Sequence, residues 1–220
     1  MESSGRIIGG TETKPGNFSF MASLRVPEER RFIGGRHLCG GSLIAKNVVI
    51  TAAHCLDSVS KPDVHIGRFE REGNDEGRFR AFKSIESVTH PSYRKVRRGV
   101  YSFDFALLVL DGESEAPPVD IRGKNVCSPD GSSCSYGTVL GWGRTIADNR
   151  RSLSDRLLKV DVPVVPRLEC NTTYQSVDIT NDMLCAGEVD KDSCSQDSGG
   201  PLLVQQCFLQ LNYLNAHQNS

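Results

Sequence analysis

Val48-Val49-Ile50-Thr51-Ala52-Ala53-His54-Cys55 is the stretch on which the fold turns. A short β-branched run gives way to two alanines. The histidine that follows stands at the end of an apolar strand, beside a cysteine that can pin the turn. Comparable short, partly alternating segments lie around it, so that the first half marks strands at 18–26, 41–45, 48–53, 64–69, 81–88 and 105–110. Gly, Pro and charged turns separate them, and no long helical period competes. Regular short strands of this kind suggest a β-barrel or sandwich rather than a βαβ sheet.

The second half offers a similar set, at 138–141, 157–165, 183–186 and 200–204. Between the halves, 111–118 reads as a linker with its Gly, Glu and paired Pro. The expected class is all-β, as two small domains in tandem. A composition break follows Val204, because 205–220 contains seven Gln or Asn and no Lys, Arg, Asp or Glu. One reading of that segment is a disordered polar terminus. The reading preferred here is an aberrant tail that replaces the native ending.

The 220 residues are enough to bury a sizeable core. With 38% hydrophobic and 24% charged residues, 21 Gly and 10 Pro, the composition is that of a turn-rich globular protein. A formal net charge of -1 gives no reason to expect nucleic acid or an anionic membrane as partner. No apolar run approaches membrane-spanning length. Eight cysteines point to an oxidising compartment with disulfides, and the sequons Asn17-Phe18-Ser19 and Asn171-Thr172-Thr173 agree. Met1 to Arg6 has no apolar core and is no secretory signal, so secretion is inferred and not read.

Acyl transfer by a serine needs a hydroxyl made nucleophilic by an imidazole, a carboxylate that fixes the imidazole tautomer, and N–H donors for the oxyanion. His54 is the candidate imidazole. Asp104 lies in Phe103-Asp104-Phe105-Ala106-Leu107-Leu108-Val109-Leu110, a run apolar enough to bury its carboxylate. Gly199-Gly200-Pro201 after Asp197-Ser198 makes a tight turn that can expose a serine. A lone His, Asp or Ser is more often structural than catalytic, and the weight rests on the combination. No paired Cys-x-x-Cys spacing supports a metal site.

Taken together, Ile7-Ile8-Gly9-Gly10, Thr51-Ala52-Ala53-His54-Cys55, Asp104-Phe105-Ala106-Leu107-Leu108, Gly141-Trp142-Gly143 and Asp197-Ser198-Gly199-Gly200-Pro201 resemble the signature set of the trypsin-like, chymotrypsin-fold serine proteases. The resemblance runs over about 7–204. It implies two tandem six-stranded antiparallel β-barrels, the first over about 7–112 and the second over about 119–204. It also implies a secreted serine endopeptidase with His54 as general base and acid, Asp104 as its orienter and Ser198 as nucleophile. The oxyanion donors would be the backbone N–H groups of Gln196 and Ser198, with Gln196 standing where the family usually has Gly.

The same resemblance reads 1–6 as a residual propeptide, with an activating protease cutting at Arg6-Ile7 and the new Ile7 ammonium pairing with Asp197. Asp192 takes the position at the base of the specificity pocket, which implies protein substrates with Arg or Lys at the cleaved bond. Cys39 would pair with Cys55, and Cys170 with Cys185. Cys194 has its family partner beyond Val204, with Cys207 as a substitute, while Cys127 pairs with Cys134 or stays free. No cofactor is expected. The acidic stretch Glu70-Arg71-Glu72-Gly73-Asn74-Asp75-Glu76 resembles the family's calcium loop, but Arg68 holds the expected first ligand position, and calcium is left open. Arg94-Lys95-Val96-Arg97-Arg98 reads as a solvated basic loop, with an exosite as the alternative.

Past Val204 the family continues with a pocket-lining strand, a Ser-Trp-Gly segment, a cysteine and a closing helix, none of which is found in 205–220. The second barrel is therefore expected to be incomplete. A catalytically impaired homologue or truncated isoform with a binding or regulatory role stays open as the alternative function. A monomer, with protein inhibitors among its partners, is the default expectation.

Overall fold

The computed structural model describes residues 10–30, 35–73, 75–97, 100–122, 135–144, 152–173, 179–187 and 197–204, together with the strand backbones at 207–210 and 213–215. Strands β1 (Thr11–Glu12), β2 (Met21–Arg25), β3 (His37–Ala45), β4 (Val48–Thr51), β5 (Asp63–Ile66) and β6 (Arg80–Thr89) come first. They are followed by β7 (Arg94–Arg97), β8 (Val100–Ser102) and β9 (Ala106–Leu110). The second half contributes β10 (Tyr136–Gly141), β11 (Leu158–Val165), the short helix α1 (Arg167–Thr173), β12 (Leu184–Ala186), β13 (Leu202–Val204), β14 (Cys207–Gln210) and β15 (Tyr213–Asn215).

Six strands close a barrel in the order β2-β3-β4-β9-β6-β5. Each of the six segments marked in the first half of the sequence supplies one of them. The period of two explains why: along β9, Ala106, Leu108 and Leu110 are buried while Leu107 is exposed. These side chains join Ala22, Leu24, Leu43, Val49, Val64 and Ile66 in one core. Burying a Leu or Val of this kind is worth about 1.5–3 kcal/mol. Strand β2 is buried along its whole length because both of its faces are covered. Ala22 and Leu24 enter the barrel, while Met21 on the other face packs with Leu140, Trp142, Leu157 and Leu203 from the second half.

The second half forms the sheet β14-β13-β10-β11-β12-β15, with β1 pairing against β11. Among the described residues this sheet does not close, so the expected second barrel is seen as an open sheet. Its core is Val139, Leu158, Val160, Val162, Val164, Ala186 and Leu202. Strands β14 and β15 come from 205–220, the segment set apart by composition, and pair with β13 and β12. The pairing of Thr11 with Lys159 and Glu12 with Leu158 ties the start of the described chain to the second half.

Candidate active site

His54 is delivered by the end of β4. Thr51 closes the strand, the buried Ala52 is still extended, and a tight turn at Ala53–Leu56 carries the imidazole. Ala52 and Ala53 are both buried, which suits small side chains at this turn. Thr51 Oγ1 donates to the Gly40 carbonyl at 2.8 Å, and a disulfide joins Cys55 to Cys39 on β3. A second disulfide joins Cys170 of α1 to Cys185 of β12.

Asp104 precedes β9 and is 2% exposed. Its Oδ2 lies 2.7 Å from His54 Nδ1, and its Oδ1 accepts the His54 backbone N–H at 2.8 Å. The carboxylate therefore fixes both the ring and the turn that bears it. With Nδ1–H donating to Asp104, Nε2 is left as the lone-pair nitrogen. The imidazole side chain keeps 24% exposure, enough for Nε2 to meet a substrate.

Two contacts around this pair had no signal in the sequence. Phe103 has a φ of 51°, a left-handed conformation rare for a bulky side chain, and it turns Asp104 inward. The Asp182 carboxylate holds that turn, accepting the Phe103 N–H at 2.6 Å and the Ser102 hydroxyl at 3.3 Å. Burial works to raise the Asp182 pKa, yet the bonds from Phe103, Thr180 and Ser102 keep it below the ordinary carboxylate value. The second contact is Tyr101, whose ring stacks on His54 at 4.7 Å and 10°. Burial, then the charges of Asp104 and Asp57, push the Tyr101 phenol up, so it stays protonated.

Ser198 is half-buried in a turn clamped to β3. The Gly40 N–H donates to the Ser198 carbonyl at 2.8 Å, and Gly200 N–H closes onto the Asp197 carbonyl at 2.9 Å. Gly199 has a φ of +79°, and a Cβ there would lie 2.3 Å from Thr51 Oγ1, so this turn requires glycine. The Ser198 carbonyl oxygen lies 3.7 Å from Cys55 Sγ, and His54 Nε2 lies 3.9 Å from the same sulfur. The turn and the imidazole thus flank one disulfide. Among the described residues no hydrogen bond joins Ser198 Oγ to His54. The grouping of His54 with Cys39 and Cys55 within 4.8 Å is no metal site, because the disulfide consumes both thiols.

Asp197 is 5% exposed, and its Oδ1 accepts the Gly143 N–H at 2.7 Å. The Gly141-Trp142-Gly143 motif is built around it, with the Trp142 ring buried and its Nε1–H donating to the Phe69 carbonyl at 3.0 Å. The structure thus brings together His54, Asp104, Ser198 and Asp197. Arg6, Ile7, Asp192 and Gln196 lie outside the described residues, as do Cys127, Cys134, Cys194, Arg98 and the side chain of Cys207.

The Trypsin family model matches residues 7–210. The chain belongs to the trypsin family. As a trypsin-family protein it is a hydrolase of the serine-endopeptidase class. It is 34% identical over 214 residues to hypodermin-A of Hypoderma lineatum, covering 94% of this chain and 77% of that protein. Trypsin-1 of Salmo salar is 32% identical over 206 residues, covering 90% and 75%. A CLIP domain-containing serine protease of Bombyx mori is 32% identical over 225 residues, covering 93% of this chain and 59% of its own. Among solved structures, neuropsin, a serine protease expressed in the limbic system of mouse brain, aligns with a TM-score of 0.75 and 26% identity, over 90% of this chain and 83% of that one.

Proposed function

We propose that this chain hydrolyses peptide bonds after Arg or Lys through an acyl-enzyme formed on Ser198. The observation that carries the reading is the buried Asp104 carboxylate, held against both His54 Nδ1 and the His54 backbone N–H. In the proposed cycle His54 Nε2 takes the Ser198 Oγ proton as the oxygen attacks the carbonyl carbon. The proton then passes to the departing amine, and the peptide C–N bond breaks. Water, deprotonated by Nε2, attacks the acyl ester, and the proton returns to Ser198 Oγ. Asp104 holds the tautomer and stabilises the imidazolium without taking the proton. The N–H groups of Gln196 and Ser198 are assigned to the oxyanion.

The Arg and Lys preference rests on Asp192, six residues before Ser198, as a carboxylate facing a cationic side chain. Activation is assigned to cleavage at Arg6-Ile7 by another protease, after which the Ile7 ammonium pairs with Asp197 and orders the turn that bears Ser198. The two disulfides support a secreted, extracellular protein. Protein inhibitors and a monomeric state complete the reading.

A second reading, an impaired homologue with a binding or regulatory role, draws on the lack of a Ser198 Oγ to His54 bond among the described residues. Such bonds are often long in free enzymes and tighten only with substrate, so the catalytic reading is preferred. The test is to cleave the chain at Arg6-Ile7 and offer it matched peptide amides ending in Arg, Lys or Phe. Hydrolysis of the Arg and Lys amides only, reversed by Asp192→Ser, is the expected outcome. A preference for the Phe amide overturns the specificity, and turnover that persists in Ser198→Ala overturns the mechanism.

A further inference from the structure

The loop after β5 is acidic in sequence and lies where the trypsin-like proteases have a calcium loop, yet its interior is filled by an arginine. Arg68 is 3% exposed. Its Nε–H donates to the Glu70 carbonyl at 2.9 Å, and its Nη2 donates to the Gly73 carbonyl at 2.6 Å. Nη1 lies 2.9 Å from His65 Nδ1. A guanidinium has no acceptor to offer, so His65 must present a lone pair there. Burial first, then the charges of Arg25 and Arg68, hold the His65 pKa down at about 4, which keeps the ring neutral. The guanidinium also lies over the Phe79 ring, 4.1 Å from its centroid, and that ring stacks on His65 at 4.8 Å.

Two of the carboxylates that a hard cation would use, those of Glu72 and Asp75, are committed elsewhere. Glu72 is paired with Arg25, which is itself buried, and with Arg71. Asp75 Oδ2 accepts the Phe69 N–H at 2.6 Å and the Glu70 N–H at 3.3 Å. Its Oδ1 accepts no hydrogen bond among the described residues and faces Arg78 Nη1 at 3.8 Å. A calcium ion needs six to eight oxygens at about 2.3–2.6 Å. Here two converging carbonyls already end on a guanidinium that cannot lose its charge. A divalent cation placed among them would sit against a fixed positive charge in a buried site. The residues present do not fit calcium.

We propose that the Arg68 guanidinium is the resident cation of this loop: it ligates the Glu70 and Gly73 carbonyls in place of a metal ion, and the loop holds its shape without calcium. The device is economical, because the cation is covalently part of the chain and cannot dissociate. It also explains why Asp75, though buried, tolerates an oxygen with no hydrogen-bond donor among the described residues, since Arg68 and Arg78 supply positive charge nearby. The proposal is independent of the catalytic reading, and its test uses no activity measurement.

The test is calorimetric titration of the intact chain with calcium chloride, together with thermal unfolding in 10 mM calcium and in EGTA at matched ionic strength. The expected result is no saturable heat and a Tm difference below about 1 °C. A resident site with a Kd near 0.1 mM would instead raise Tm by roughly 5–10 °C at that concentration, and that result overturns the proposal. Arg68→Gln is the second arm, read by amide hydrogen exchange across 69–78. Losing the charged donors should speed exchange there by about tenfold or more, with no rescue by calcium. Exchange unchanged from the wild type, or slowed again by calcium, overturns it. If the variant does not fold, the titration of the wild-type chain still decides.

Discussion

A methyl group at position 143 has nowhere to go. A Cβ on Gly143 would lie 2.1 Å from Asp197 Oδ2 and 2.4 Å from its Cγ, against the 3.0 Å that real Cβ atoms essentially never breach. In Gly143→Ala the carboxylate must retreat by about an ångström, and the 2.7 Å bond from the Gly143 N–H to Asp197 Oδ1 is broken or bent. A charge-assisted bond in so buried a place is worth about 1.5–3 kcal/mol. That corresponds to a fall in Tm of roughly 3–12 °C for a chain of this size. Asp197 adjoins Ser198, so a shift of about 1 Å passes to the proposed nucleophile and should slow acylation by about a hundredfold. Gly112→Ala is the control, because its Cβ meets the edge of the Phe82 ring at ordinary distances, Cε1 at 3.4 Å and Cδ1 at 3.6 Å. It should stay within about 0.5 kcal/mol of the wild type. Thermal unfolding and the rate of inactivation by a serine-directed phosphonate read both effects. If Gly143→Ala melts with the control and reacts at the wild-type rate, the account of Asp197 as the packed support of the Ser198 turn is refuted.

Asp104→Asn keeps the shape of the buried side chain but favours the wrong imidazole tautomer, so kcat/KM should drop by about 10³- to 10⁴-fold with Tm little changed; equal activity sinks the assigned role. Asp182→Ala removes the acceptor that holds the left-handed Phe103 turn, and should lower kcat more than it alters KM, read in a steady-state series on an Arg amide. A change confined to KM contradicts a positioning role. His65, desolvated and facing Arg25 and Arg68, has a pKa of about 4 in the folded chain against 6.5 when unfolded. The unfolded state therefore binds the extra proton between those values, and stability is full above pH 6.5 and declines as pH falls toward 4. Urea midpoints at pH 7 and 4.5 should show a steeper loss for the wild type than for His65→Gln; identical slopes overturn it.

The barrel was legible because its strands obey a period of two around one core. Ala106, Leu108 and Leu110 alternate with outward positions, and turn residues punctuate each end. Strands β7 and β8 carry no such signal, since Arg94–Arg97 is exposed and basic and has no buried face to set a period of two. The helix α1 is seven residues long, too short for a helical period to register. Strands β14 and β15 hide in a segment whose Gln and Asn residues interrupt the chain so often that no apolar run exceeds three residues. At the site, His54, Asp104 and Ser198 stood out through local motifs, whereas Asp182 reaches Phe103 across 79 positions and Tyr101 meets His54 only in space. The sequence shows Arg68 as a departure at a ligand position, but its bonds to the Glu70 and Gly73 carbonyls exist only in the folded loop.

The most direct test of the central claim is chemical. The chain is cleaved at Arg6-Ile7, treated with a serine-directed phosphonate and mapped by mass spectrometry, alongside His54→Ala. A single adduct on Ser198 that disappears in His54→Ala is the predicted result. No adduct from the folded, cleaved chain, or labelling that survives the loss of His54, would contradict the assembly of a working nucleophile from these residues.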